Sequence, residues 1–157
     1  MKRAALLLLI FLVSFCAGGR GDVDNASIAG HGAISIEIVP NPVVATRVNG
    51  ETYDFPFDVV VRETGGRPVD VTSVSATVFA FGGIQIATET YDAARINRMG
   101  YSTRVPANGQ LRYRFDPRRD VTDSRLFQGV SADIRAEARD DTGTPTVATT
   151  RVSVTRA

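Results

Sequence analysis

Residue types able to do chemistry are scarce in this chain, and their spacing narrows what they can do. There is one cysteine, Cys16, and one histidine, His31, in 157 residues. A hydrolytic triad or a thiol–imidazole pair needs a nucleophile beside a base. His31 lies between Gly30 and Gly32 in a polar stretch, so it reads as a solvated linker residue. One cysteine and one histidine exclude a structural zinc site, and a single thiol excludes an intramolecular disulfide. The inventory points away from an enzyme, and no cofactor is expected.

Carboxylates and arginines remain. Asp116, Asp120 and Asp123 share one segment, and oxygen-rich loops can hold calcium. Arg118, Arg119 and Arg125 are interleaved with them, however, and would repel a cation and pair with the acids. Asp140 and Asp141 raise the same question, but a turn ending at Gly143 explains them. Arg112, Arg114, Arg118 and Arg119 form the densest basic stretch. It offers a contact for an anionic glycan, a lipid headgroup or an acidic partner, against the plainer reading of a soluble strand face. Tyr91, Tyr101 and Tyr113 suggest a sugar-stacking surface, although Tyr113 shares a phase with Leu111 and Phe115 and reads as core. Arg20-Gly21-Asp22 and Asn25-Ala26-Ser27 match an integrin-binding tripeptide and a glycosylation sequon, both short enough to recur by chance.

The N-terminus says where these residues go. Met1-Lys2-Arg3 precedes an apolar run, Ala4 to Val13, and a small-residue tail around Ser14 and Ala17. That is the pattern of a secretory signal, assigned to residues 1–17. The run is shorter than the roughly 20 apolar residues that span a bilayer. Residues 18–32 are Gly-rich, polar and aperiodic, a flexible linker. Residues 33–157 form the single domain that the remaining length suggests. Without Lys2 and Arg3, the 18 basic residues become 16 against 17 acidic, a formal charge of -1. A near-neutral domain of this kind is not a dedicated nucleic-acid binder. Lys2 is the only lysine, so arginine carries the positive charge.

Within the domain the period is two. Ile34, Ile36 and Ile38 alternate with other residues until Pro40 and Pro42 interrupt the pattern. Phe55, Phe57, Val59 and Val61 alternate up to Gly65-Gly66, with Pro56 marking an exposed or bulged start. A β-rich run from Val69 to Phe81 meets Gly82-Gly83, which suits a hairpin, and Ile84, Ile86 and Thr88 return. Residues 91–109 are irregular, and no amphipathic helix is expected. Leu111, Tyr113 and Phe115 make a clean amphipathic strand. A long connection follows, with a helical turn suggested over residues 122–127. Ala132, Ile134, Ala136 and Ala138, then Ala148, Thr150, Val152 and Val154, face inward on a closing hairpin. Phe57, Val59, Tyr113, Phe115, Ile134 and Val152 are the expected core. The expected fold is all-β, a sandwich of seven or eight mainly antiparallel strands.

Two resemblances sharpen this. Cys16 at the end of the apolar run resembles the lipobox of bacterial lipoproteins. Val13 and Ser14 fit that pattern and bulky Phe15 departs from it. Ordinary cleavage after Gly19 or after Cys16 is the alternative. The domain resembles a bacterial extracytoplasmic immunoglobulin-like β-sandwich module, through the segments Phe57 to Val69 and Ala136 to Pro145 with Arg151 to Val154. It lacks tryptophan, a cysteine pair and the corner tyrosine of antibody domains. The resemblance implies a non-enzymatic cell-envelope binding or structural module, lipid-anchored through Cys16 or secreted. Membrane contact would come through the anchor, in the outer membrane or periplasm, and the partner would be an envelope protein or glycan. The alternative is a periplasmic accessory or chaperone-like protein that pairs its sheet edge with protein partners.

Overall fold

A computed structural model describes residues 30–123 and 127–157. The leader, Cys16, most of the linker and the two short motifs within it lie outside the described residues, as do residues 124–126 of the expected helical turn. No helix among the described residues is long and apolar enough to cross a membrane.

Alternating sequence becomes two facing sheets. Strand β1 (Ile34–Val39), β4 (Phe57–Glu63) and β8 (Gln110–Phe115) form an antiparallel three-stranded layer in the order β1-β4-β8. The larger layer contains β2 (Val43–Asn49), β3 (Thr52–Asp54), β5 (Val69–Phe79), β6 (Gln85–Asp92), β9 (Arg118–Asp120), β10 (Ser131–Asp140) and β11 (Pro145–Arg156). Its order is β6-β5-β10-β11-β2-β3-β9, with the two-residue strand β7 (Arg104–Val105) also paired to β5. All pairings are antiparallel except β11 with β2, where Val154–Arg156 runs beside Val43–Ala45. Buried side chains of both layers merge into one hydrophobic cluster, and all six expected core residues belong to it. This is the all-β, mainly antiparallel sandwich that the periodicity implied.

Three segments differ from the sequence reading. Strands β2 and β3 lie beyond Pro42, where no strand was expected. Only Val43 and Ala45 of β2 are buried, so its apolar alternation is too brief to register. Residues Ala93–Arg98 form a short helix, α1, capped by the Asp92 side chain accepting from the Arg95 N–H at 2.7 Å. A single buried residue, Ile96, anchors it, which leaves no helical period to detect. The chain is therefore cut into eleven strands among the described residues, against seven or eight expected. The excess consists of short pieces: β3, β7 and β9 have three, two and three residues.

Two of these short pieces continue longer strands. β3 leads through Phe55-Pro56 into β4, and β8 leads through Asp116-Pro117 into β9. The pairing survives the passage, because β4 pairs β8, β3 pairs β9, and the Phe55 N–H donates to the Pro117 carbonyl at 3.0 Å between them. A two-stranded arm thus passes from the small layer to the large one, as strands do at sandwich corners.

The opposite end is held by two buried carboxylates. Glu63 and Asp140 are 3% and 5% exposed. Glu63 accepts backbone N–H groups from Gly65 at 2.6 Å, Asn108 at 2.8 Å, Gly66 at 3.0 Å and Ala33 at 3.3 Å. Asp140 accepts the Thr142 hydroxyl at 2.6 Å and the N–H groups of Thr142, Thr144 and Gly32 at 2.9, 2.9 and 3.1 Å. Gly30–Gly32, the end of the expected linker, therefore lies fixed against two turns. The fit demands glycine: a Cβ on Gly65 would stand 2.0 Å from the His31 carbonyl oxygen. For Glu63, burial works against the charge, but the four N–H donors outweigh it and hold the carboxyl below its usual range. Asp140 is depressed further, first by the Thr142 hydroxyl.

A carboxylate with a lowered folded pKa stabilises fully above its unfolded pKa and loses that stabilisation as pH falls through the folded value. Melting temperature should accordingly stay level from pH 7 to about 5 and drop below about 4.5, near the unfolded carboxyl range. Glu63→Gln should cost about 1.5–3 kcal/mol at pH 7, the worth of a charged hydrogen bond, and flatten the acid limb. A variant melting curve that matches wild type at every pH would remove Glu63 from this role. For the core, Ile134→Ala should cost roughly 2–5 kcal/mol in urea titration. Arg135→Ala, next to it and exposed, should stay within about 0.5 kcal/mol.

Candidate functional site: an apolar cavity at the end away from the N-terminal segment

Register fixes which end is which. Ile34 pairs with Glu63 and Val39 with Asp58, while Asp140 pairs with Val69 and Ser131 with Phe79. Gly32 and the carboxylate clamp therefore sit at one end, and Phe57, Phe79 and Ser131 at the other. At that other end the layers enclose a cavity of about 370 Å³.

Its walls follow from side-chain size. Ala132 lies opposite Val78, which lies opposite Ala87, a row across β10, β5 and β6. The next row is Ile134, Ala76 and Glu89. Three alanines on three adjacent strands hollow one wall. Phe55 and Phe57 from the crossing arm, Val152 and Val154 from β11, and Val121, Phe127 and Val130 from the connecting segment complete the enclosure. Phe127 is held by rings, 4.9 Å from Tyr53 and 6.3 Å from Phe55. Tyr91 closes the inner end, its ring 4.4 Å from Phe115 of the facing layer.

Charge enters only at the rim. Among the described residues, Glu89, Arg119 and Asp120 are the ionisable acids and bases in the lining. Glu89 belongs to β6 and Arg119 to β9, the first and last strands of the larger layer. They form an ion pair, so the two ends of that layer are joined by side chains. The second Glu89 oxygen accepts from Arg95 at 2.8 Å. Arg95 in turn covers the Tyr91 ring at 3.9 Å and donates to the Thr90 carbonyl at 3.3 Å. Asp120 accepts the Thr52 hydroxyl at 2.6 Å. Burial opposes the Glu89 charge, yet Arg95, Tyr91 and Arg119 together hold its carboxyl below the usual range. Burial, seconded by Glu89, pushes the Tyr91 hydroxyl upward, so that phenol stays protonated.

The four arginines singled out from the sequence do not form one free patch. Arg112 pairs with Asp58 at 2.8 Å and Arg118 with Asp54 at 2.6 Å. Arg119 alone reaches the cavity. Arg114 is exposed and has no side-chain ion pair among the described residues. Its backbone N–H donates to the Tyr101 hydroxyl at 3.3 Å. The three tyrosines share no exposed face, because Tyr91 and Tyr113 are 7% and 1% exposed. No three of His, Cys, Asp and Glu converge as a metal set among the described residues. His31 is exposed, at the clamp end. Asp140 organises a turn. Glu89, Tyr91 and Phe127 were not singled out for this end of the molecule. The signal that could have found them is the set of alanines at inward positions of neighbouring strands, which vacates volume. Beside the cavity, the β5–β6 connection exposes Phe81 and Ile84 at 79% and 66%, and Ile86 at the start of β6 is 49% exposed.

No family model matches the chain, and no curated protein matches it. Its architecture recurs in solved structures. The Northeast Structural Genomics Consortium target SoR45 superposes with a TM-score of 0.56 at 11% identity, over 77% of this chain and 86% of the other. A Bordetella pertussis chain assigned to ApaA superposes with a TM-score of 0.54 at 10% identity, over 80% and 97%. At such identities the likeness is one of fold, and this chain is an all-β sandwich of the same kind.

Proposed function

We propose that this protein is a non-enzymatic binding module of the bacterial cell envelope, tethered at its N-terminus, which holds an apolar ligand in the cavity between its sheets. The cavity is the observation that carries this reading. Ligand sites are concave, mostly apolar and about 300–1,000 Å³, with a few placed polar groups. A hollow of about 370 Å³ with three rim charges and one buried phenol fits that description. The hollow leaves apolar surface uncovered, and larger residues at Ala76, Ala87 and Ala132 would fill it. Binding rather than catalysis is supported by the lining, which brings no histidine or cysteine among the described residues. The tether follows from the leader, with Cys16 as lipid acceptor.

A second reading is pairing with protein partners through a sheet edge. It rests on β6, which has no outer strand partner among the described residues and carries half-exposed Ile86 next to Phe81 and Ile84.

Intact-mass analysis of protein expressed with its leader in a bacterial envelope should show an acylated Cys16. A free N-terminus at Gly18 or Arg20, with the protein in the soluble fraction, would overturn the anchor. Native mass spectrometry of the gently purified protein should show a small-molecule adduct. Ala132→Phe should remove that adduct while leaving the melting temperature equal or higher. A bare wild-type mass, together with a co-purifying protein lost on Ile86→Lys, would replace the cavity with the edge.

A further inference from the structure

The cavity reading leaves the ligand's chemistry open, and the rim narrows it. Among the described residues, the one cation that reaches the cavity is already spent on another protein group. The Glu89 carboxylate is shared between Arg95 and Arg119. Arg119 gives one guanidinium nitrogen to Glu89 and another to the Arg118 carbonyl at 2.7 Å. Asp120 accepts the Thr52 hydroxyl and keeps its negative charge, which repels an anion. An anionic ligand would leave water and meet no free cation among the described residues. Burying an unpaired charge costs several kcal/mol, far above what a few apolar contacts return. Recruiting Arg119 would break the ion pair that joins β6 to β9 and leave the Glu89 carboxylate to Arg95 alone. The Tyr91 hydroxyl gives its proton to the Glu89 carboxylate and so can only accept one hydrogen bond from the ligand.

From this arrangement, and resting on the cavity reading above, we infer that the site selects an uncharged, apolar molecule and excludes its anionic counterparts. At interior packing density the volume holds on the order of 15 non-hydrogen atoms, the size of two or three fused or linked rings or one medium alkyl chain. Glu89 is then a specificity-determining residue: its carboxylate cancels the guanidinium charge that would otherwise attract an anion.

N-phenyl-1-naphthylamine and its sulfonated analogue 1-anilinonaphthalene-8-sulfonate share one fluorescent scaffold and differ in charge. Titrated into the purified full chain, the neutral probe should bind at least 30-fold tighter than the sulfonate. Ala132→Phe should abolish its signal. Glu89→Gln, which leaves Arg95 and Arg119 without their carboxylate, should narrow the preference at least tenfold in favour of the sulfonate. Equal or tighter binding of the sulfonate to wild type would overturn the inference while leaving the cavity in use. Unchanged selectivity in Glu89→Gln would remove that residue's role. Failure of both probes to bind wild type would overturn the cavity reading itself.

Discussion

The N-terminal end of the domain is drawn together by a carboxylate with no cation beside it among the described residues. Glu63 is buried, and its charge is stabilised by the N–H groups of Ala33, Gly65, Gly66 and Asn108. These donors belong to three separated segments: the lead into β1, the β4–β5 turn and the β7–β8 turn. Asp140 adds a fourth, the β10–β11 turn, and shares the lead into β1 through Gly32. Loops ordinarily satisfy their backbone groups with water. Here a few side-chain oxygens do so internally, which lets four loops be drawn in against one another. Without the carboxylates those donors would be orphaned in a dry place, and the close approach of His31 to Gly65 would have nothing to hold it.

The other end is loose for a related reason. The arm made of β3–β4 and β8–β9 cannot continue straight, because Pro56 and Pro117 remove ladder donors midway. It bends across from the small layer to the large one, kept in register by the Phe55–Pro117 hydrogen bond. The bend carries Phe55 over the mouth of the sandwich, while Phe57 packs into the core against Phe115. With alanines facing them on β5, β6 and β10, the two layers cannot meet, and the volume between them stays open. Prolines in the arm and alanines in the wall are thus two halves of one constraint. Changing either alone would leave part of the hollow in place.

Much of this was legible beforehand. Strands whose alternation runs over five or more residues, such as β4, β8 and β10, declare both their identity and their inward face. The tight burial of Val59, Tyr113 and Ile134 follows from phase alone. What escaped has short range or long range. Strand β2 buries two side chains and α1 one, too few to make a period. Glu63 and Asp140 look like ordinary polar residues beside turns, since their partners Ala33, Asn108 and Gly32 lie 30, 45 and 108 residues away. The cavity is harder still, because it is made by what small side chains leave out. The pairing of the basic stretch was hidden for the same reason as Glu63: the fold supplies Asp54, Asp58 and Glu89 from other strands to three of its arginines.

The two ends also differ in how they can move. Local opening follows the density of buried contacts. The clamp end has inward-facing Val69, Val71 and Val105 under its loops, each at most 1% exposed. At the cavity, β9 has no buried residue and β6 buries only Tyr91. These two strands close the larger layer through a side-chain ion pair, where a hydrogen-bonded ladder would otherwise stand. Arg119 is 54% exposed, so water and salt compete for it. Glu89 is the fixed half, gripped by Arg95 on its own side of the gap. Separation of β9 from β6 therefore breaks one screened ion pair and no backbone hydrogen bond, and it exposes the apolar wall without disturbing Glu63 or Asp140. A binding site that admits its ligand between sheets needs a margin of this kind. The fold places that margin at the end remote from the N-terminal segment, where opening does not load the clamp.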